Sequence, residues 1–226
     1  MSGWSGLARR SVRRTFADRR EAGRVLAEHL ANYRGTDGLL VLGLARGGVP
    51  VGWEVAAALG APLEVFLVRK LGVPQWEELA MGALATGGGV VVNDRLVANL
   101  GLSEEDLRAA IERESAELDR RERAYRGDRA PVAVAGRTVI LVDDGVATGA
   151  SMLAAIRAVR AGGPARIVVA VPVGPPTACR QLAAEADDVV CVSMPAGFDA
   201  VGQVFADFHQ VSDDEVRALL EAPTVG

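Results

Sequence analysis

The sequence predicts an α/β fold: a doubly wound, mostly parallel sheet flanked by helices. Short runs of β-branched and aliphatic residues at 39–44, 139–142, 166–171 and 189–192 lack polar alternation. That is the pattern of strands buried on both faces of a parallel sheet. Between these runs lie segments of helical period, at the spacing of βαβ units. Composition agrees, since 50% of the 226 residues are apolar and only 4% aromatic, so Ala, Val and Leu must build the core. The length fits one domain, or one domain with a small accessory lobe.

Residues 1–15 have no sustained periodicity. They are Arg- and Ser-rich and free of acids, which can mimic a transit peptide but fits a disordered tail. The folded domain is expected over 16–220. From Phe16 onward Ala22, Val25, Leu26 and Leu30 recur at helical spacing. A strand at 39–44 leads into Ala45-Arg46-Gly47-Gly48-Val49-Pro50, a tight turn before a helix at 51–59 that Gly60 closes. The run at 63–68 predicts a strand with Arg69 and Lys70 at its carboxyl end. Residues 75–86 predict a loop, and with 90–93 a hairpin-like pair around Gly87-Gly88-Gly89. An insert of about 94–130 reads as helical, with a cap-like start at Ser103-Glu104-Glu105-Asp106 and charged turns to Tyr125. Its pairs Glu117/Arg121 and Asp119/Arg123 fit a solvated helix. Its arginines Arg113, Arg120, Arg121 and Arg126 fit a closing lid equally well. Beyond 139–142 the pattern is helix, Gly162-Gly163, strand, a helix from Pro175-Pro176 through Ala186, and a last strand. Phe205 and Phe208 are expected to pack the end of the domain, before a capped helix at Ser212-Asp213-Asp214-Glu215.

Several classes of function fall away. A net charge of −4 does not favour bulk nucleic-acid binding, although the first 24 residues are locally basic (Arg9, Arg10, Arg13, Arg14). No apolar run approaches a membrane span and no hydrophobic leader is present, so a cytoplasmic protein is expected. Cys179 and Cys191 are too few and wrongly spaced for a metal motif, and read as reduced core thiols. His29 and His209, the only histidines, lie far apart. Lys70 is the only lysine among 25 basic residues, a bias that singles it out.

The chemistry concentrates at 139–151. The strand Val139-Ile140-Leu141-Val142 delivers Asp143 and Asp144 to its carboxyl end, where open α/β sheets bind ligands. Gly145-Val146-Ala147-Thr148-Gly149-Ala150-Ser151 then leads into a helix. Backbone N–H groups at a helix start, with the Thr148 and Ser151 hydroxyls, suit a phosphate. The two carboxylates repel a phosphate and suit sugar hydroxyls or a divalent cation one sugar-length away. A phosphorylated ribose has both features. No lysine follows Gly149, which excludes a Walker A loop, and neither G-x-G-x-x-G nor G-x-S-x-G is present.

This segment resembles the phosphoribosyl-pyrophosphate (PRPP) binding motif of the type I phosphoribosyltransferases: four hydrophobic residues, two acids, a small-residue loop, Thr-Gly. The resemblance covers about 16–216 and is nearest to a subgroup of unsettled substrate. It implies that family's fold with a small hood. It implies that Asp143 and Asp144 hold the ribose 2′- and 3′-hydroxyls, or a metal mostly through PRPP and water, and that 146–151 wrap the 5′-phosphate. Ala45-Arg46-Gly47-Gly48 would be the pyrophosphate loop, often carrying a strained peptide, and Arg69 and Lys70 a further clamp. The implied reaction transfers ribose 5-phosphate from Mg²⁺-bound PRPP to a small-molecule acceptor, with a homodimer admissible. Ala147 stands where hypoxanthine-guanine enzymes carry an acid, and the loop lysines and histidine of orotate enzymes are missing. The rival expectation is a non-catalytic PRPP- or nucleotide-binding regulator. It is less favoured, because the Ala-Arg-Gly-Gly loop is present and no helix-turn-helix module is seen.

Overall fold

The computed structural model describes residues 14–222 except 75, 128, 130, 131 and 196, with backbone only at 77 and 78. Most of the tail expected over 1–15 therefore lies outside the described residues. In chain order the elements are α1 (Arg19–His29), β1 (Leu39–Leu44), α2 (Gly48–Leu59), β2 (Leu63–Phe66), β3 (Val68–Val73), β4 (Trp76–Ala85), β5 (Gly89–Val92), α3 (Asp94–Leu100) and α4 (Glu104–Arg126). Then follow β6 (Thr138–Val142), α5 (Ala150–Ala161), β7 (Arg166–Val173), α6 (Pro176–Ala183), β8 (Asp188–Ser193) and α7 (Asp213–Glu221).

The expected α/β architecture is present. Strands β2-β1-β6-β7-β8 form one sheet, every neighbouring pair parallel. The period of two sorts their side chains cleanly. Leu40, Leu42, Val139, Leu141, Ile167 and Val169 pack against Met152, Ile156 and Val159 of α5 and Leu182 of α6. Val41, Ile140, Val142, Val168 and Ala170 pack on the other face against Leu26 and Leu30, from α1 and its cap, and Val51 and Val55 of α2. Both faces are covered, which is why these strands carry no polar alternation.

The run at 63–68 does not behave as one strand. β2 stops at Phe66, and Leu67 turns out of the sheet, its N–H donating to Thr86 Oγ1 at 2.8 Å while its carbonyl accepts from the Thr86 N–H at 2.9 Å. Arg69 and Lys70 therefore begin an antiparallel strand instead of ending a parallel one. No turn residue marks this switch, so an unbroken apolar run hides it. The hairpin-like pair expected around Gly87-Gly88-Gly89 is present as antiparallel β4 and β5. β4 also takes up the stretch from Trp76 expected as loop, because pairing with β3 on one side and β5 on the other supplies what its Ala- and Glu-containing sequence does not.

Helix α4 covers this smaller sheet. It opens with a capping box in which Ser103 Oγ accepts from the Asp106 N–H and Asp106 accepts from the Ser103 N–H. Ala110, Leu118 and Tyr125 pack with Leu71, Val73 and Met81 beneath it and with Val216 of α7. Four of its arginines are engaged: Arg113 pairs with Glu114, Arg120 and Arg121 with Glu117, and buried Arg126 with Glu122 and, across to β2 of the larger sheet, with Glu64. Among the described residues no helix is long and apolar enough to cross a membrane.

One buried polar contact gives a test of this packing. The Tyr33 hydroxyl donates to Asp188 Oδ2 at 2.6 Å, and burial followed by that bond pushes the phenol up to about 12. An unfolded tyrosine ionises near ~10. The contribution to stability is therefore complete below that pH and lost as pH rises toward the folded value. Tyr33→Phe is expected to flatten this alkaline decline in urea-unfolding curves; an identical decline in both proteins would contradict it.

Candidate functional site

Strand order reverses between β1 and β6, since the chain turns from β1 to β2 on one side and later to β6 on the other. In open α/β sheets the crevice outside the carboxyl ends of two such strands is where ligands bind. Here it is bordered by the β1–α2 loop and by residues 143–149. The Ala45–Arg46 peptide is cis, and the Ala45 N–H donates to the Phe66 carbonyl at 3.0 Å. Gly47 has an ordinary helical conformation, φ −60° and ψ −32°, so conformational freedom is not what demands glycine. Space is. A Cβ at Gly47 would run into the Asp144 carboxylate, and one at Gly48 into the Val142 carbonyl, 2.9 Å from the Asp143 Cα. The two loops lie directly on each other.

The two acids differ. Asp143 is partly exposed, and its Oδ1 accepts from the Asp144 N–H at 2.8 Å. Asp144 is buried, and its Oδ2 accepts from Arg19 Nε at 2.8 Å. Desolvation raises both carboxyls; for Asp143 the neighbouring Asp144 charge drives it further up, whereas Arg19 pulls Asp144 back.

The rest of the loop divides into anchors and an open face. Gly145 is wedged between Val173 and Val201, and buried Val146 donates its N–H to the Val173 carbonyl at 2.9 Å. Ala147, Thr148, Ala150 and Ser151 are exposed. Gly149 takes φ 77°, the left-handed turn that starts α5, and no side chain caps that helix. Its first N–H groups are thus available to an anion, apart from a 3.3 Å bond from the Ala150 N–H to Thr148 Oγ1.

The remaining cations take separate positions. Arg46 Nη1 donates to Asp213 Oδ1 at 3.4 Å, and the Tyr125 hydroxyl donates to the same oxygen at 2.6 Å. The Tyr125 bond first, and then the Arg46 charge, lower the Asp213 carboxyl. Arg69 and Lys70 diverge, as successive residues of a strand must. Arg69 turns to α4 and donates to Glu114 through Nε at 2.9 Å and Nη2 at 2.7 Å. Lys70 is exposed and lines a cleft of about 170 Å³ with Ser151 and Arg157. A second cleft, of about 320 Å³, is lined by Arg19, Arg46, Gly47, Asp144, Phe208 and His209.

The structure thus gathers Arg46, Gly47, Gly48, Asp143, Asp144 and 145–151 around one crevice, with Lys70 beside the start of α5 and Arg69 directed elsewhere. Sequence reading missed Arg19, Tyr125 and Asp213. Arg19 had a signal: it falls on the stripe Arg19, Ala22, Leu26, Leu30, as a charge on a buried face. Among the described residues no three or more His, Cys, Asp or Glu gather into a group that could hold a metal.

The family model for the phosphoribosyl transferase domain matches residues 16–207. The chain belongs to the phosphoribosyl transferase family. This phosphoribosyl transferase domain is similar to the crystal structure of TT1426 from Thermus thermophilus, with 46% identity and a TM-score of 0.82 over 91% of this chain and 97% of that one. It is also similar to two Mycobacterium tuberculosis proteins named "Putative phosphoribosyl transferase", from strains CDC 1551 and H37Rv. Each is 47% identical over 206 residues, which cover 91% of this chain and 46% of the relative. The chain spans about half the length of these curated relatives.

Proposed function

We propose that this protein transfers ribose 5-phosphate from PRPP to a nucleobase-like nitrogen and releases pyrophosphate. The observation that supports this most is the arrangement at the switch point: a partly open carboxylate and an uncapped helix start on one loop, facing Arg46-Gly47-Gly48 on the other. The reaction breaks the C1–O bond to the diphosphate and forms a C1–N bond with inversion, through an oxocarbenium-like transition state. Asp143 and Asp144 accept hydrogen bonds from the ribose hydroxyls and lie where positive charge builds. Exposed Thr148 and Ser151, with the first N–H groups of α5, hold the 5′-phosphate. Arg46 meets the departing diphosphate, and Lys70 serves it across the start of α5.

The residues also fit Mg²⁺. With Asp144 paired to Arg19, one open carboxylate is left, which suits a cation carried mainly by substrate phosphates and water instead of a protein cage. When bound, that ion would neutralise charge on the leaving group.

The test is calorimetric titration with PRPP and Mg²⁺, followed by a pyrophosphate-release screen over nucleobases. Magnesium-dependent binding with release for one base is the expected result. Binding with no release for any base would favour the regulatory reading, and absence of binding would refute the ribose-phosphate site.

A further inference from the structure

Arg19 is an arginine in an uncommon place. Its side chain is 8% exposed, and three contacts from two distant parts of the chain converge on it. Nε donates to Asp144 Oδ2 at 2.8 Å, Nη1 donates to the His209 carbonyl at 2.7 Å, and the guanidinium lies 4.0 Å from the centroid of the Phe208 ring. Phe208 stacks on Phe205 at 5.0 Å, and Phe205 meets Phe16 at 5.7 Å. The backbone joins the same segments, with the Phe16 N–H donating to the Val204 carbonyl at 2.7 Å and the Ala206 N–H to the Phe16 carbonyl at 2.8 Å.

These contacts form a short mechanical chain. The residues entering α1 are stitched to the tail at 204–209, the tail supplies a ring and a carbonyl to seat the guanidinium, and the guanidinium fixes Asp144. From the opposite side, Gly47 lies so close to Asp144 that no side chain could stand between them. A buried ion pair gives little net stability compared with apolar packing. What it does supply is a defined direction for a carboxylate that would otherwise swing.

Resting on the ribose-phosphate reading above, we propose that Arg19 is a positioning residue. It holds Asp144 as a fixed acceptor for a ribose hydroxyl and makes that placement depend on the tail segment at 204–209. The two acids then have separate duties, Asp144 as a rigid acceptor and Asp143 as the open one.

A double-mutant cycle tests whether Arg19 acts through Asp144. Affinities for ribose 5-phosphate and for inorganic phosphate would be measured by calorimetry in wild type, Arg19→Met, Asp144→Asn and the double variant. Arg19→Met is expected to weaken ribose 5-phosphate about tenfold or more, the loss of a charged hydrogen-bond partner, with inorganic phosphate changed less than about twofold. In the Asp144→Asn background the same change is expected to cost nothing further. Equal losses in both backgrounds, or equal losses for both ligands, would overturn the proposal and leave Arg19 a packing residue. If the wild type binds inorganic phosphate but not ribose 5-phosphate or PRPP, the parent reading fails and this one with it. Should Arg19→Met not fold, Arg19→Lys keeps a charge without the planar fork, and the same cycle applies with a smaller expected loss.

Discussion

Replacing Asp143 by Asn is expected to weaken Mg²⁺-dependent PRPP binding by about 10- to 150-fold. A hydrogen bond to a charged group is worth ~1.5–3 kcal/mol, and Asp143 is the carboxylate of the pair to which Arg19 does not hydrogen-bond. Asn keeps the size and one acceptor but not the charge, so the fold should survive and the loss should appear in calorimetry alone. Asp143 sits in an environment that raises its carboxyl well above the ordinary range, through burial and then the Asp144 charge. A ligand that brings a cation and hydroxyl donors relieves that environment, whereas Asn cannot take part in the relief. Wild-type affinity in Asp143→Asn would remove Asp143 from the ribose contact.

Gly48→Ala is expected to cost the protein both stability and ligand binding. Its Cβ would meet backbone atoms, the Val142 carbonyl oxygen and the Asp143 Cα, which cannot move without displacing the end of β6. Overpacking of this kind costs about 1–3 kcal/mol in a well-packed interior, and here it also forces apart the two loops that make the crevice. The expected result is a lowered urea midpoint together with loss of PRPP binding. Gly47→Ala meets only a side chain, but that side chain is Asp144, already clamped by Arg19, so it should spare stability more than ligand affinity. Wild-type stability and binding in Gly48→Ala would show that the loops can separate freely, contrary to the packing described.

The parallel sheet and the acidic loop were legible in the sequence because both rest on local signals. The strand at 139–142 has no polar residue, and the two acids, the small residues and the helix follow at once. Gly60 marked the end of α2 correctly, with φ 66° in the left-handed region. The small antiparallel sheet was only half legible. Its turn at Gly87-Gly88-Gly89 was visible, but β4 is held by its neighbours, and the departure at Leu67 depends on a hydroxyl 19 positions later. The same limit applies to the site. Asp213 looked like a helix-capping residue, and Ser212 does cap α7, yet Asp213 also receives Tyr125 and Arg46 from distant segments. Nothing local to Asp213 announces those partners.

The order of strands also bears on how the protein assembles. β1 meets β2 after a short excursion, Val41 pairing with Leu63, whereas Leu39 pairs with Thr138, 99 positions later. Closing a loop of that length costs about 4 kcal/mol by the logarithmic law, against about 3 kcal/mol for the shorter one. Everything from β3 to α4 must be threaded out between these two pairings. The β1–α2–β2 unit can therefore condense early from nearby contacts, while the seam between β1 and β6, where the crevice lies, waits for a long-range encounter of the kind that slows folding. A nascent chain halted before residue 138 would hold the Arg46 loop with no β6 opposite it, and the crevice is expected to form only when β6 pairs with β1.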